Sequence, residues 1–106
     1  MIHVTFYQNI LIVQGHANYA PKGKDIVCAA VSTLVNALTG TLEVAGNLYK
    51  AILTPGFAYV ESRKDDPAFD VVRCGLWQLA KKYPEHVSVD KAEDGETDHG
   101  SAAAPQ

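Results

Sequence analysis

The sequence predicts an α+β fold. It is read as a two-layer α/β sandwich in which two helices cover one face of a mixed sheet, with element order β-β-α-β-β-α-β. Three observations predict it. Two pairs of short apolar runs are each joined by a tight polar turn, the mark of β-hairpins. Each pair is followed by a longer stretch with apolar residues at helical spacing. A last strand-like run, "EHVSV", follows the second of these stretches.

In "IHVTFYQ", Ile2, Val4 and Phe6 fall on one side and His3, Thr5 and Tyr7 on the other, so the first strand has one buried face. "QN" is the turn and "ILIV" the second strand. A loop from Ala17 to Lys24 follows, punctuated by Asn18, Pro21 and Gly23. Asp25 is a good N-cap; Val27, Val31, Leu34 and Leu38 continue at helical spacing, and Thr39–Gly40 is expected to stop the helix. "NLYKAIL", the turn "TPG" and "FAYVESR" form the second hairpin. "DDPAFDVVRCGLWQLAKKY" is the second helix, with Asp66 as N-cap, Pro67 at its first position and Lys81 and Lys82 in its last turn. Its buried stripe is expected at Phe69, Val72, Leu76, Leu79 and Tyr83. Residues 1–90 thus make one domain. From Lys91 the chain is acidic and rich in small residues, and 91–106 is expected to be a disordered tail. The sheet face bearing Thr5 and Tyr7 is expected to be solvated or covered by a partner.

Composition narrows the function classes. The 106 residues are 47% hydrophobic and 20% charged, as in an ordinary globular protein. A net charge of −3 offers no basic field for nucleic acid, so direct nucleic-acid binding is not expected. No apolar run approaches the ~20 residues of a membrane span. "MIHVTFYQNI" lacks the basic start, apolar core and cleavage site of a signal peptide, so a cytoplasmic location with reduced thiols at Cys28 and Cys74 is expected.

One cysteine stands out. With Asp25 as N-cap, Cys28 occupies the third helical position, where free N–H groups and the helix dipole favour an anion such as a thiolate. A capping box would place Glu or Gln there. Asp25, Cys28 and Ser32 share one helix stripe, apart from the buried one through Val27, Val31 and Leu34. His16 ends the second strand, and the loop is long enough to return the helix start to its side; a nucleophile needs such a base. Gly15 allows a bend before His16, and Gly23 a tight approach to Asp25. Asp25 is a cap, or a carboxylate orienting His16; Ser32 is one turn from the sulfur. The helix-start N–H groups are expected to form an oxyanion hole. Cys74 lies off the apolar stripe of its helix and is read as incidental. His3, His86 and His99 show no metal-ligand spacing, and no metal or cofactor is expected.

"GHANYAPKGKDIVCAAVS" resembles the signature of the ribosomal-processing cysteine protease family (Prp): Gly-His-Ala, a variable loop, then Gly-x-Asp-Ile-Val-Cys-Ala-x-x-Ser. Gly15, His16, Ala17, Gly23, Asp25, Ile26, Val27, Cys28, Ala29 and Ser32 occupy its positions. The resemblance implies Cys28 as nucleophile and His16 as base, with Asp25 and Ser32 in support. It implies a substrate too: the N-terminal extension of a large-subunit ribosomal protein, cut after an aromatic residue by a small homodimer whose His-to-Cys loop closes over the peptide. A relative carried by a phage or mobile element would act on another protein, such as a capsid component. Two readings compete with catalysis: a non-catalytic peptide-binding relative, and a redox sensor in which Cys28 needs no base.

Overall fold

The computed structural model describes residues 1–21 and 23–91. Its elements are β1 (Ile2–Phe6), β2 (Ile10–Gln14), α1 (Ile26–Val44), β3 (Leu48–Thr54), β4 (Phe57–Ser62), α2 (Ala68–Lys82) and β5 (Val87–Lys91). The order is the expected one. The strands form one mixed sheet, β3-β4-β2-β1-β5, in which only β1 and β5 run parallel. Of the expected tail at 91–106, Lys91 closes β5 and the rest lies outside the described residues.

Register puts the apolar strand residues on one face. Val4 pairs with Val13, Leu11 with Val60, and Ile2 with Val87, and all six are buried. Against this face pack Val27, Val31, Val35, Leu38 and Leu42 of α1 and Phe69, Val72 and Leu76 of α2. Leu34, Leu79 and Tyr83 are only partly covered. The opposite face carries a row of partners, Thr5, Ile12, Tyr59 and Ile52, that no helix among the described residues covers.

α1 runs past the expected stop. Thr39 turns its hydroxyl back to the Val35 carbonyl (2.9 Å), and Gly40 continues the helix with no neighbour near it. The reason is burial: Leu42, one turn beyond Leu38, is fully enclosed, and removing such a side chain from water outweighs the ~1 kcal/mol that a helical glycine costs. The helix ends at Val44, with Ala45 as its C-cap followed by Gly46, whose φ of 70° suits a terminating glycine, and the Asn47 N–H on the Leu42 carbonyl (2.8 Å). At 19 residues α1 is long and apolar enough, by length and composition, to cross a membrane; here its apolar stripe faces the sheet. α2 starts one residue later than expected, but Asp66 still caps it, accepting from the Ala68 N–H at 2.9 Å.

Candidate active site

β2 ends in a backbone bend that only glycine tolerates. Gly15 has φ 101°, and a β-carbon there would collide with the Met1 carbonyl oxygen. The Gly15 N–H donates to the Gly56 carbonyl in the β3–β4 turn (2.9 Å), joining the strand end to the neighbouring hairpin. His16 follows, exposed, with its imidazole lying over Gly56. A β-carbon at Gly56 would sit 2.8 Å from Nε2, and the φ of 78° at this turn favours glycine.

Ala17 then dives into the core, 1% exposed, and aims its N–H at Cys28 Sγ, 3.4 Å away. The loop returns through Asn18, in the left-handed region at φ 55°, and Gly23 at φ 89°. A β-carbon at Gly23 would meet nothing within 4 Å, so the conformation, not crowding, calls for glycine there.

Asp25 closes the loop. One carboxylate oxygen accepts from the Val27 and Cys28 N–H groups (3.0 and 2.9 Å); the other accepts from Tyr19 and Ala20 (2.9 and 3.4 Å). Burial alone would push this carboxyl up, but the N–H donors of Cys28, Tyr19, Ala20 and Val27 outweigh it and hold it below its ordinary value. Both oxygens are thus taken by backbone, and Asp25 acts as helix cap and loop anchor. The expected oxyanion hole changes accordingly: the Val27 and Cys28 amides are engaged by Asp25, leaving the Ala17 amide as the one aimed at the sulfur.

A pH-dependent outcome follows from that carboxylate. Its folded value lies below the unfolded one, so its contribution to stability is complete above about pH 4 and is lost as pH falls through the folded value. Asp25→Asn keeps a cap acceptor but turns an N–H₂ group toward the loop donors. It is expected to cost roughly 1 kcal/mol near neutrality. That difference from the parent protein is expected to shrink below about pH 4 in denaturant titrations.

Cys28, half-buried, and His16 line the same cleft, of about 280 Å³. Ser32, exposed, extends the α1 wall beyond Cys28; Leu53, Phe57 and Ala58 of the second hairpin form an apolar wall facing it. Among the described residues no hydrogen bond joins His16 to Cys28, and the loop amide of Ala17 is what meets the sulfur. Cys28 and Cys74 are both free thiols; Cys74 accepts from Gln78 Nε2 at 3.5 Å, away from the cleft. No group of three His, Cys, Asp or Glu side chains among the described residues is arranged to hold a metal.

Two residues escaped the sequence reading. Gly56 is visible there only as part of a turn. His86, 69 residues away along the chain, holds the Ala17 carbonyl oxygen with Nδ1 at 2.8 Å.

Comparison with known proteins converges on one family. The model of the family described as cysteine protease Prp matches residues 1–88. The chain is 34% identical over 98 residues to the ribosomal processing cysteine protease Prp of Mycoplasma genitalium, covering 86% of this chain and 96% of that protein. Its fold is similar to that of the essential ribosomal processing protease Prp from S. aureus, solved with a covalently linked product peptide. The TM-score there is 0.74 at 17% identity, over 86% of this chain and 97% of that one. SMU.848 from Streptococcus mutans superposes with a TM-score of 0.68 at 28% identity, over 86% and 93% of the two chains.

Proposed function

Since the chain belongs to the Prp family of cysteine proteases, we propose that it is a ribosomal-processing endopeptidase in which Cys28 is the nucleophile and His16 the general base. Its substrate is the extended N-terminus of a large-subunit ribosomal protein. The observation that carries this reading is the shared cleft: a first-turn helix cysteine and a strand-end histidine both line it, brought there by a loop that Asp25 anchors.

The chemistry follows from that placement. The His16 imidazole lies over a glycine and is exposed, so its side chain is free to swing within the cleft that Cys28 lines; catalytic hydrogen bonds commonly tighten only around substrate. His16 takes the thiol proton, and the Cys28 thiolate adds to the scissile carbonyl carbon. The tetrahedral adduct collapses with loss of the amine, which receives its proton from His16, leaving a thioester on Cys28. Water, deprotonated by His16, then hydrolyses the thioester and restores the thiol.

The cleft also suits the substrate class. One wall offers the polar line of Cys28 and Ser32 along α1; the other offers Leu53, Phe57 and Ala58, apolar surface for an aromatic side chain next to the cut. On this reading the enzyme is a cytoplasmic homodimer that needs no cofactor, and the uncovered row of Ile12, Tyr59 and Ile52 gives it apolar surface for a partner subunit.

The test is mass spectrometry of synthetic N-terminal segments of large-subunit ribosomal proteins, incubated with the full chain. The expected product is a single cut following an aromatic residue. Intact peptides, with Cys28 reduced throughout, would refute the assignment of substrate.

A further inference from the structure

His86 is left idle by the reaction just described, yet it holds the loop that carries His16. It sits between α2 and β5, on a fixed base: its N–H donates to the Tyr83 carbonyl and its carbonyl accepts from the Ile2 N–H, both at 2.9 Å. Its Nδ1 lies 2.8 Å from the Ala17 carbonyl oxygen. A carbonyl only accepts, so Nδ1 carries a proton and His86 is the donor, whether the ring is neutral or charged. Tyr19 meets the His86 ring edge-on, centroids 5.3 Å apart at 82°, and meets Tyr83 in the same manner at 5.4 Å and 75°.

Ala17 is therefore held at every point. Its methyl is buried, its carbonyl is bound by His86, and its N–H rests on Cys28 Sγ at 3.4 Å. The Val27 and Cys28 amides, which a helix start would ordinarily offer to an anion, are engaged by Asp25.

We propose that the Ala17 N–H is the donor that stabilises the Cys28 thiolate and the oxyanion it generates, and that His86 is the positioning residue that aims it. The proposal rests on Cys28 being the nucleophile. As the thiolate attacks, the carbon–sulfur bond forms and the carbonyl π pair moves onto oxygen. That oxygen stands two bonds from Sγ, within reach of a donor already on the sulfur. The pair returns to the carbon as the carbon–nitrogen bond breaks, and the amine leaves with the proton His16 has held.

The experiment compares the parent full chain with His86→Phe, which keeps a ring against Tyr19 without a donor, and His86→Asn, whose amide N–H replaces Nδ1–H. Two readouts are taken: peptide cleavage, and alkylation of Cys28 by iodoacetamide, resolved from Cys74 by peptide mapping. For a donor misaimed rather than removed, His86→Phe is expected to lower kcat about tenfold while KM stays within about twofold. Cys28 alkylation slows in parallel, and His86→Asn restores most of both rates. A purely structural role would lower the melting temperature without this kcat-selective loss or its rescue. Should the Phe variant not fold, the near-isosteric pair His86→Leu and His86→Asn makes the same comparison. Full kcat and alkylation in His86→Phe, or an Asn variant no better than the donor-less one, would overturn the proposal. A Cys28→Ala protein that still cleaves refutes the nucleophile, and this proposal with it; an inactive Cys28→Ala beside a fully active His86→Phe refutes this proposal alone.

Discussion

Cys28→Ala is expected to lower single-turnover cleavage by at least about 10⁴-fold, because the covalent route disappears with the sulfur. The effect should be separable from folding. Cys28 is half-buried and only flanks the core, so deleting its sulfur is expected to cost roughly 1 kcal/mol, or about 5 °C of melting temperature. Cys28→Ser is the sharper comparison: it keeps a polar atom at the cleft, but a hydroxyl does not ionise as a thiol does, and cleavage should fall almost as far. Peptide binding should survive in both. A non-catalytic peptide-binding protein would instead show no cleavage even in the parent, with Cys28 alkylated no faster than Cys74.

His16→Ala is expected to reduce cleavage by about 10²–10⁴-fold, the usual contribution of a positioned general base. The side chain is exposed and rests on a glycine, so its removal is expected to change stability by no more than about 0.5 kcal/mol. The alkylation rate of Cys28 near neutrality should fall as well, since the imidazole that takes its proton is gone. A redox sensor needs no base, and in such a protein His16→Ala would leave both the thiol's reactivity and the protein's role unchanged.

Much of the fold is legible because its signals are local. The alternation of Ile2, Val4 and Phe6, the turn between two apolar runs, and the Asp25 cap each lie within a few residues of what they specify. The end of α1 was misread for the converse reason. Thr39–Gly40 looks like a stop when propensity is weighed alone, and the enclosure of Leu42 against the rest of the molecule carries the helix on to Val44. The site divides the same way. Gly15, His16, Asp25 and Cys28 stand within one short segment, and a loop of that length is enough to return the helix start to the strand end. The imidazole that lies over Gly56 comes from 40 residues upstream, and the bond from His86 to Ala17 joins residues 69 apart in the chain. No local pattern encodes either. The engagement of the Val27 and Cys28 amides is a middle case: a capping aspartate predicts it, but the loop donors on its second oxygen are visible only in three dimensions.

The parallel pairing of β5 with β1 bears on the order in which the molecule becomes competent. Parallel neighbours require a long crossover, and here it must bring the last strand to the edge of the first. Until that strand docks, the His86 side chain that steadies the loop is absent from its place, although both hairpins and α1 precede it in the chain. An outer strand is also among the first parts of a sheet to fray. Warming should therefore silence the enzyme before its helices melt, and a chain still under synthesis would carry its thiol without the support that arms it.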